Sequence, residues 1–249
     1  VYRRHTNFAQ ESIEQTFNGT VDFGKKVSCT VSRNGDLIHK VYLQVELPAL
    51  NNTNGTTGSV KWVQKLGHAI IDEVSIEIGG QVIDKHYGDW LEIWNELTQT
   101  DEKYEGYQEM IGDVAALNAD ADTHAAYTLY VPLQFWFCRN PGLALPLIAL
   151  QYHEVKFNIT FAAASSCYIL TGGATAATPS FTNASLYVDY IYLDTDERRQ
   201  FAQVQHEYLL FKRKKVTTSA HADTVLRKSC LYSAQPTHVT NVTQVVYCC

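Results

Sequence analysis

At 249 residues, 45% hydrophobic, 12% aromatic and only 18% charged, the chain has the composition of a packed globular protein, which excludes disorder over most of its length. The formal net charge of −6 is unevenly spread: residues 1–205 hold 14 Lys/Arg against 24 Asp/Glu, whereas residues 206–249 hold 6 against 2. So acidic a body repels polyphosphate, which argues against specific nucleic acid binding by the main surface and leaves only the tail to attract a genome.

Period-two alternation, the mark of strands with one buried face, dominates the chain. Val27, Cys29 and Val31 alternate first; Val41, Leu43, Val45 and Leu47 follow and stop at Pro48. An Asn/Thr/Gly stretch at 51–59 reads as a surface loop. Val74, Ile76 and Ile78 form the next inward set, with Glu73, Ser75 and Glu77 outward. Gly79-Gly80 then supplies the positive-φ pair of a tight hairpin, and Gln81–Tyr87 returns. Asp89 is placed to cap a helix, with Glu92 at the capping-box position. Trp90, Ile93, Trp94 and Leu97 form an i, i+3, i+4, i+7 stripe predicted to pack onto a sheet. Further strands are predicted at 127–137, at Val155–Phe161 with Val155, Phe157, Ile159 and Phe161 inward, and at 186–193. A second helix over 194–204 begins with Asp194-Thr-Asp-Glu197, which suits its positive dipole end. Seven or so antiparallel strands without βαβ alternation describe an all-β sandwich or barrel with one or two short helices in loops. Jelly rolls belong to that group, as do lectins and cupins, and periodicity alone does not choose among them.

None of the constellations that catalysis needs is found. There is no Gly-x-Gly-x-x-Gly and no Gly-Lys-Ser/Thr for a nucleotide, no Cys-x-x-Cys or His-Glu-x-x-His for zinc, and no Gly-x-Ser-x-Gly elbow. The nine His stand singly, and His153-Glu154 reads as a polar strand end, not a cupin metal pair. Asp101-Glu102 and Asp196-Glu197 fit solvated helix or loop edges. Six cysteines, Cys29, Cys138, Cys167, Cys230, Cys248 and Cys249, are irregularly spaced and read as mostly free thiols, with Cys29 and Cys138 buried. No enzyme activity, cofactor or metal is expected. The basic run Lys212-Arg-Lys-Lys215 offers at most weak, salt-sensitive attraction to phosphate. No run of about 20 apolar residues is present, so no transmembrane segment is expected, and no charged-then-apolar leader opens the chain. The start at Val1 inside a structured pattern implies residues upstream. Asn-x-Ser/Thr triplets occur at Asn18, Asn51, Asn54, Asn158, Asn183 and Asn241; Asn51, Asn54 and Asn183 are the glycosylation candidates should the chain meet a glycosylating machinery.

Three stretches carry a family resemblance. They are Tyr2-Arg-Arg-His-Thr-Asn-Phe-Ala9 with Glu11-Ser-Ile-Glu-Gln-Thr-Phe17, then Ile38 to Pro48 with Gly79-Gly-Gln-Val-Ile-Asp84, and the most specific, residues 135–155. With these the chain resembles the first jelly-roll domain of the major capsid proteins of nucleocytoplasmic large DNA viruses, in order from residue 1 to about 208. The resemblance implies an eight-stranded antiparallel jelly-roll sandwich with outward-facing loops. Three copies would form a homotrimeric capsomer, and capsomers would meet one another and minor capsid proteins to tile an icosahedral shell over an internal membrane. It implies localisation in the virion after assembly in the host cytoplasm. It also marks Phe135, Trp136, Phe137, Arg139, Asn140, Pro141, Gly142, Leu145 and Pro146 as structural hallmarks. In that stretch an aromatic strand is expected to pin the sheet, Asn140-Pro-Gly142 to turn the chain, and residues 143–150 to fill the core.

Two departures qualify the expectation. Family members continue into a second jelly roll, and residues 209–249 form a divergent basic tail with strand character only at 216–218 and 239–246. A fragment, a divergent gene, and a single-jelly-roll minor or vertex capsid protein all fit that pattern. Three single jelly rolls cannot fill six positions of a hexagonal capsomer, so this domain alone is expected to tile less well than a double one.

Overall fold

The inward sets of the alternating runs meet between two antiparallel sheets in the computed structural model, which describes residues 6–54, 58–210 and 244–248. In chain order the strands are β1 (Phe8–Thr16), β2 (Lys26–Thr30), β3 (Leu37–Leu47), β4 (Leu50–Asn51), β5 (Ser59–Trp62), β6 (Ile71–Ile78), β7 (Gln81–Tyr87) and β8 (Thr123–His124). They continue as β9 (Tyr127–Pro132), β10 (Leu145–Pro146), β11 (Val155–Phe161), β12 (Tyr168–Thr171), β13 (Asn183–Leu193), β14 (His206–Leu210) and β15 (Gln244–Cys248). The helices are α1 (Leu66–Ala69), α2 (Gly88–Thr98), α3 (Asp101–Ile111), α4 (Ala115–Asn118), α5 (Trp136–Arg139) and α6 (Thr195–Gln203).

One sheet runs β1-β13-β3, with β9 and β10 both paired to β3; the other runs β2-β11-β6-β7. Since β13 occupies one edge of β3, β9 and β10 share the other, as two halves of one interrupted strand. Counted that way, the eight principal strands lie in the orders 1-8-3-6 and 2-7-4-5, the connectivity of a jelly roll. Val41, Leu43, Val45 and Leu47 face Val155, Phe157, Ile159 and Phe161 in one continuous core. Each such side chain contributes about 1.5–3 kcal/mol by leaving water. Gly79 and Gly80 have φ of 58° and 83°, as the β6–β7 hairpin requires.

Four expectations are corrected. The strand expected over 127–137 ends at Pro132; Phe135, Trp136, Phe137 and Cys138 are all buried, and the chain takes the helical turn α5 there, where a strand with one buried face would bury only every second residue. Residues 143–150 do not all fill the core: Leu145, Leu147 and Leu150 do, while Leu143 is 42% exposed on the turn. In α2, Asp89 does not cap; Tyr87 is the N-cap residue and no side chain caps the helix. The face of α2 that packs inward is Gly88, Leu91 and Asn95, leaving Ile93 40% and Leu97 77% exposed. Gly88 sets this rotation. A β-carbon there would lie 2.2 Å from the His68 carbonyl oxygen and 2.5 Å from that of Ile71, so only a glycine allows the approach, and the Trp90–Leu97 stripe is turned outward.

Periodicity gave no warning of α3 or β1. Only Ile111 of α3 is buried, and most of β1 is exposed on both faces, so neither shows a one-sided pattern. The second expected helix is α6, with Asp196 and Glu197 in its first turn and Asp194 as its N-cap residue, whose carboxylate accepts from Thr195 N at 2.7 Å. Asp36 holds α6 to the sheet: its carboxylate accepts from Arg198 Nε and a terminal guanidinium nitrogen, both at 3.0 Å, and from Leu193 N at 2.8 Å. The tail's expected strand at 239–246 overlaps β15, which pairs with β14; 216–218 and the basic run 212–215 lie outside the described residues.

Candidate assembly surface

The hallmark stretch is a plug in the core, projecting from the interruption between β9 and β10. Phe135 stacks on His86 with centroids 4.2 Å apart and contacts Phe137 and Phe157; Trp136 meets Phe137 edge-on at 5.0 Å. His39 Nδ1 donates to the Phe137 carbonyl at 3.0 Å, satisfying a backbone acceptor that no strand partner reaches. As expected, Asn140 turns the chain: its side chain accepts from Gly142 N at 2.9 Å and caps the 3₁₀ turn Pro141–Leu143. Leu145 and Pro146 then rejoin β3 opposite Ile38 and Leu37. Phe135, Trp136, Phe137, Leu145 and Pro146 are buried, and Asn140, Pro141 and Gly142 form an exposed turn. Arg139 is also exposed: its guanidinium carbon sits 4.0 Å from the Trp94 ring centre, and a terminal nitrogen donates to the Gln134 carbonyl at 3.1 Å.

Arg139 joins this plug to a helical side wall in which α1, α2 and α3 pack against β6, β7 and β9. A buried polar cluster, not detected in the sequence, ties the wall together. His68 Nδ1 donates to Glu92 Oε2 at 2.7 Å, His68 Nε2 lies 2.8 Å from the Tyr107 hydroxyl, and Lys65 pairs with Glu92 and Glu96. The His68 bond, then that of Lys65, holds the Glu92 carboxyl down at about 2 against the opposing effect of burial. Burial alone would lower Lys65, but its bonds to Glu92 and Glu96 raise it overall; burial raises Tyr107. An open depression of about 410 Å³ beside Lys65, His68 and Glu92 is also lined by Gln64 and Asp89, and the cluster serves as a clasp between helices.

The outward face of the β1-β13-β3-β9 sheet is aromatic and uncharged at its centre. Tyr42 pairs with Tyr187 on β13 and Pro132 on β9, and Glu14 lies beyond Tyr187 on β1. In the next row Gln44 Nε2 reaches the Tyr130 hydroxyl at 3.5 Å, and the Ser185 hydroxyl donates to Gln44 Oε1 at 3.1 Å. Tyr130 is 41% exposed. These positions were legible as the opposite parity to Val41, Leu43 and Val45, although the inward set drew the attention. Lys40, Tyr42, Pro132, Gln134 and Cys138 line a depression of about 110 Å³.

The thiols of Cys29, Cys138 and Cys167 are free and buried, and burial raises them to about 11, 12 and 12. Among the described residues no cluster of three His, Cys, Asp or Glu has metal-holding geometry, and no helix is long and apolar enough to cross a membrane. Asn51 is exposed at the end of β4 and Asn54 in the loop after it, where Asn54 donates to the Gly173 carbonyl at 3.0 Å; Asn183 is exposed at the start of β13, on the outward face.

A sequence profile described as "Major capsid protein N-terminus" matches residues 1–194. The chain belongs to that family. The major capsid protein of Pyramimonas orientalis virus is 58% identical over 212 residues, covering 84% of this chain and 50% of its own length. Capsid protein 1 of Acanthamoeba polyphaga mimivirus is 49% identical over 226 residues, covering 84% and 38%. Among solved structures, VP54 of PBCV-1, fitted into a reconstruction of the virophage Sputnik, superposes with a TM-score of 0.68 at 43% identity, over 85% of this chain and 49% of its own. The Faustovirus major capsid protein also gives 0.68, at 14% identity, which shows the shared fold. The chain spans about half the length of the relatives it matches or less. The profile match closes at Asp194, one residue before α6, so the helix and the β14–β15 pair lie beyond the matched part.

Proposed function

We propose that this chain is a structural component of the capsid of an icosahedral double-stranded DNA virus, with no catalytic role. Residues 1–208 would be the shell-forming jelly-roll domain and 209–249 an appended basic segment. The observation that carries this reading is the 58% identity to a major capsid protein across most of the jelly roll, hallmark stretch included. In support, Phe135, Trp136, Phe137, Leu145 and Pro146 are buried in the sandwich, the described thiols are buried, and the His68–Glu92 cluster joins helices.

In this reading the chain associates with copies of itself, as a homotrimer where a second jelly roll completes the hexagonal outline, and meets neighbouring capsomers and minor capsid proteins. A single jelly roll requires six copies for the same outline. It resides in the virion after assembly in the host cytoplasm. Asn51, exposed at the end of β4, and Asn54, exposed on the loop after it, are the positions for a glycan. Immunogold labelling and peptide mass spectrometry of purified particles test the reading: the expected result is the protein at high copy number in the shell. Its absence from particles, with abundance only in the soluble fraction of infected cells, would overturn it.

A further inference from the structure

His124 makes two contacts that an uncharged ring cannot satisfy together. It lies in β8 with 4% of its surface exposed, its Nδ1 2.7 Å from the carbonyl oxygen of Ala116 in α4 and its Nε2 2.9 Å from that of Val60 in β5. A carbonyl oxygen only accepts, so both contacts are hydrogen bonds when both ring nitrogens carry protons, which is the imidazolium alone. In the neutral ring one nitrogen turns a lone pair toward a carbonyl oxygen, and two buried acceptors are left facing each other.

The ring stands where four elements meet. β8 pairs with β4 through Leu50 and Asn51, Val60 of β5 exchanges hydrogen bonds with Ala121, and Asn52 N donates to the Asp122 carbonyl at 2.8 Å. The loop that follows β4 and bears Asn54 therefore leaves from a junction that His124 closes. Of the surrounding elements, α4 and β4 carry no charged residue, β5 carries Lys61, and the connection into β8 carries Asp120 and Asp122. Lys61 pairs with Asp120 at 3.2 Å, Asp122 is exposed, and Asp113, ahead of α4, accepts from Asn118 and Gln108. The ring nitrogens are both taken by backbone carbonyls, not by any of these carboxylates.

The two carbonyls are not equivalent. The Val60 oxygen also accepts from Ala121 N at 3.4 Å, whereas among the described residues no backbone N–H reaches the Ala116 oxygen. A proton lost from the ring therefore leaves Nε2, keeping the bond from Nδ1 to Ala116 and giving up the one to Val60.

We infer that His124 is a proton-operated latch: as the imidazolium it ties α4 to β5 across β8, and as the neutral ring it releases β5. Histidine is the side chain whose charge ordinarily changes between about pH 5 and 8. The base of the segment bearing Asn51 and Asn54 is thus closed in acid and loosened in alkali. This device is independent of the capsid reading.

Selective 15N labelling of histidine in the full chain reads the protons on each ring nitrogen by NMR from about pH 5 to 9, with the spectrum of His124→Gln identifying the signals. Two protonated nitrogens are expected in acid and Nδ1–H alone in alkali. Hydrogen exchange of the wild-type chain, referred to the intrinsic rate at each pH, reads the latch itself. Protection of residues 59–62 and 119–124 is expected to fall about fivefold from the acid to the alkaline end, the effect of one hydrogen bond, while Val74–Ile78 in the main sheet is unchanged. In His124→Gln the same residues are expected to show the lower protection throughout. The exchange measurement needs no variant, so it decides the matter even if His124→Gln does not fold. A ring that keeps one protonation state over the whole range, a neutral form protonated on Nε2, unchanged protection at 59–62, or a His124→Gln chain with the wild-type pH dependence would each overturn the latch. None of these outcomes bears on the presence of the protein in virions.

Discussion

Arg139 caps the Trp94 ring at 4.0 Å, so a hallmark residue of the interrupted strand is also the clamp on the helix that covers the sandwich's side. A guanidinium over indole is worth about 0.5–2 kcal/mol, the larger value where water is excluded. Arg139→Lys keeps the charge and loses the planar stack. It is expected to destabilise the chain by about 0.5–1 kcal/mol in urea unfolding and to speed amide exchange in α2 more than in β3. Uniform acceleration in both elements would show that the stack does not act on the helix.

Gly88 admits a sharper test. Because a β-carbon would meet two backbone carbonyls at 2.2 and 2.5 Å, neither of which can rotate away, Gly88→Ala has to displace the start of α2. A cost of about 3 kcal/mol is expected, at the upper end for overpacking, despite alanine's better helix propensity. Gly106, in α3 with open space around its α-carbon, is the control: Gly106→Ala is expected to stabilise by about 0.4–1 kcal/mol.

These two glycines also show what the sequence could and could not convey. Strands β3, β6 and β11 were legible because each buries one face, and alternation is a direct record of that burial, whereas β7 was legible from the Gly79-Gly80 turn before it. The stripe of α2 was equally periodic, yet its direction was misread. Periodicity reports that a helix has two faces; which of them turns inward depended on the clearance at Gly88, a tertiary fact with no trace in the 3.6-residue pattern. The interrupted strand failed for a related reason: a run of four apolar residues fits a strand and a buried turn equally well. Of the assembly surface, the hallmark residues were visible through the family resemblance, whereas the tyrosine rows needed the register that aligns Tyr42 with Tyr187.

The Glu92 clasp gives a pH dependence with a defined sign. Its carboxyl is held from the ordinary 4.5 down to about 2. A group depressed on folding contributes stability that is complete above its unfolded value and is lost as the pH falls toward its folded value. The clasp is therefore intact at pH 7 and dissolves between about 4.5 and 2. Glu92→Gln is expected to be less stable than the wild type at pH 7, with the gap closing through that window in urea titrations. A gap that is constant from pH 7 to pH 2 would refute the linkage.

Burial, not pairing, governs the three described thiols. With Cys138 and Cys167 pushed to about 12 and Cys29 to about 11, native protein at pH 8 holds almost no thiolate at these positions. Iodoacetamide is expected to leave all three unmodified in the native state and to alkylate them fully in urea, as read by peptide mass spectrometry. Rapid native labelling of Cys138 would mean that α5 opens, and with it the plug between β9 and β10.

Asp36 is the most exacting of these sites, since one buried carboxylate serves two elements. It accepts from the Leu193 amide at the end of β13 and, through both oxygens, from Arg198 in α6. Asp36→Ala leaves a backbone donor and a guanidinium without their acceptor, and an orphaned buried donor costs about 1–3 kcal/mol, more when the partner is charged. Arg198→Ala removes only the more exposed half of the arrangement and is expected to cost about 1 kcal/mol or less. The pair separates two roles for α6. If the helix is only appended to the domain, both variants leave β13 protected in hydrogen exchange. If α6 holds the end of the sheet, as the shared carboxylate implies, Asp36→Ala exposes Leu193 and its neighbours to exchange while Arg198→Ala frees the helix alone.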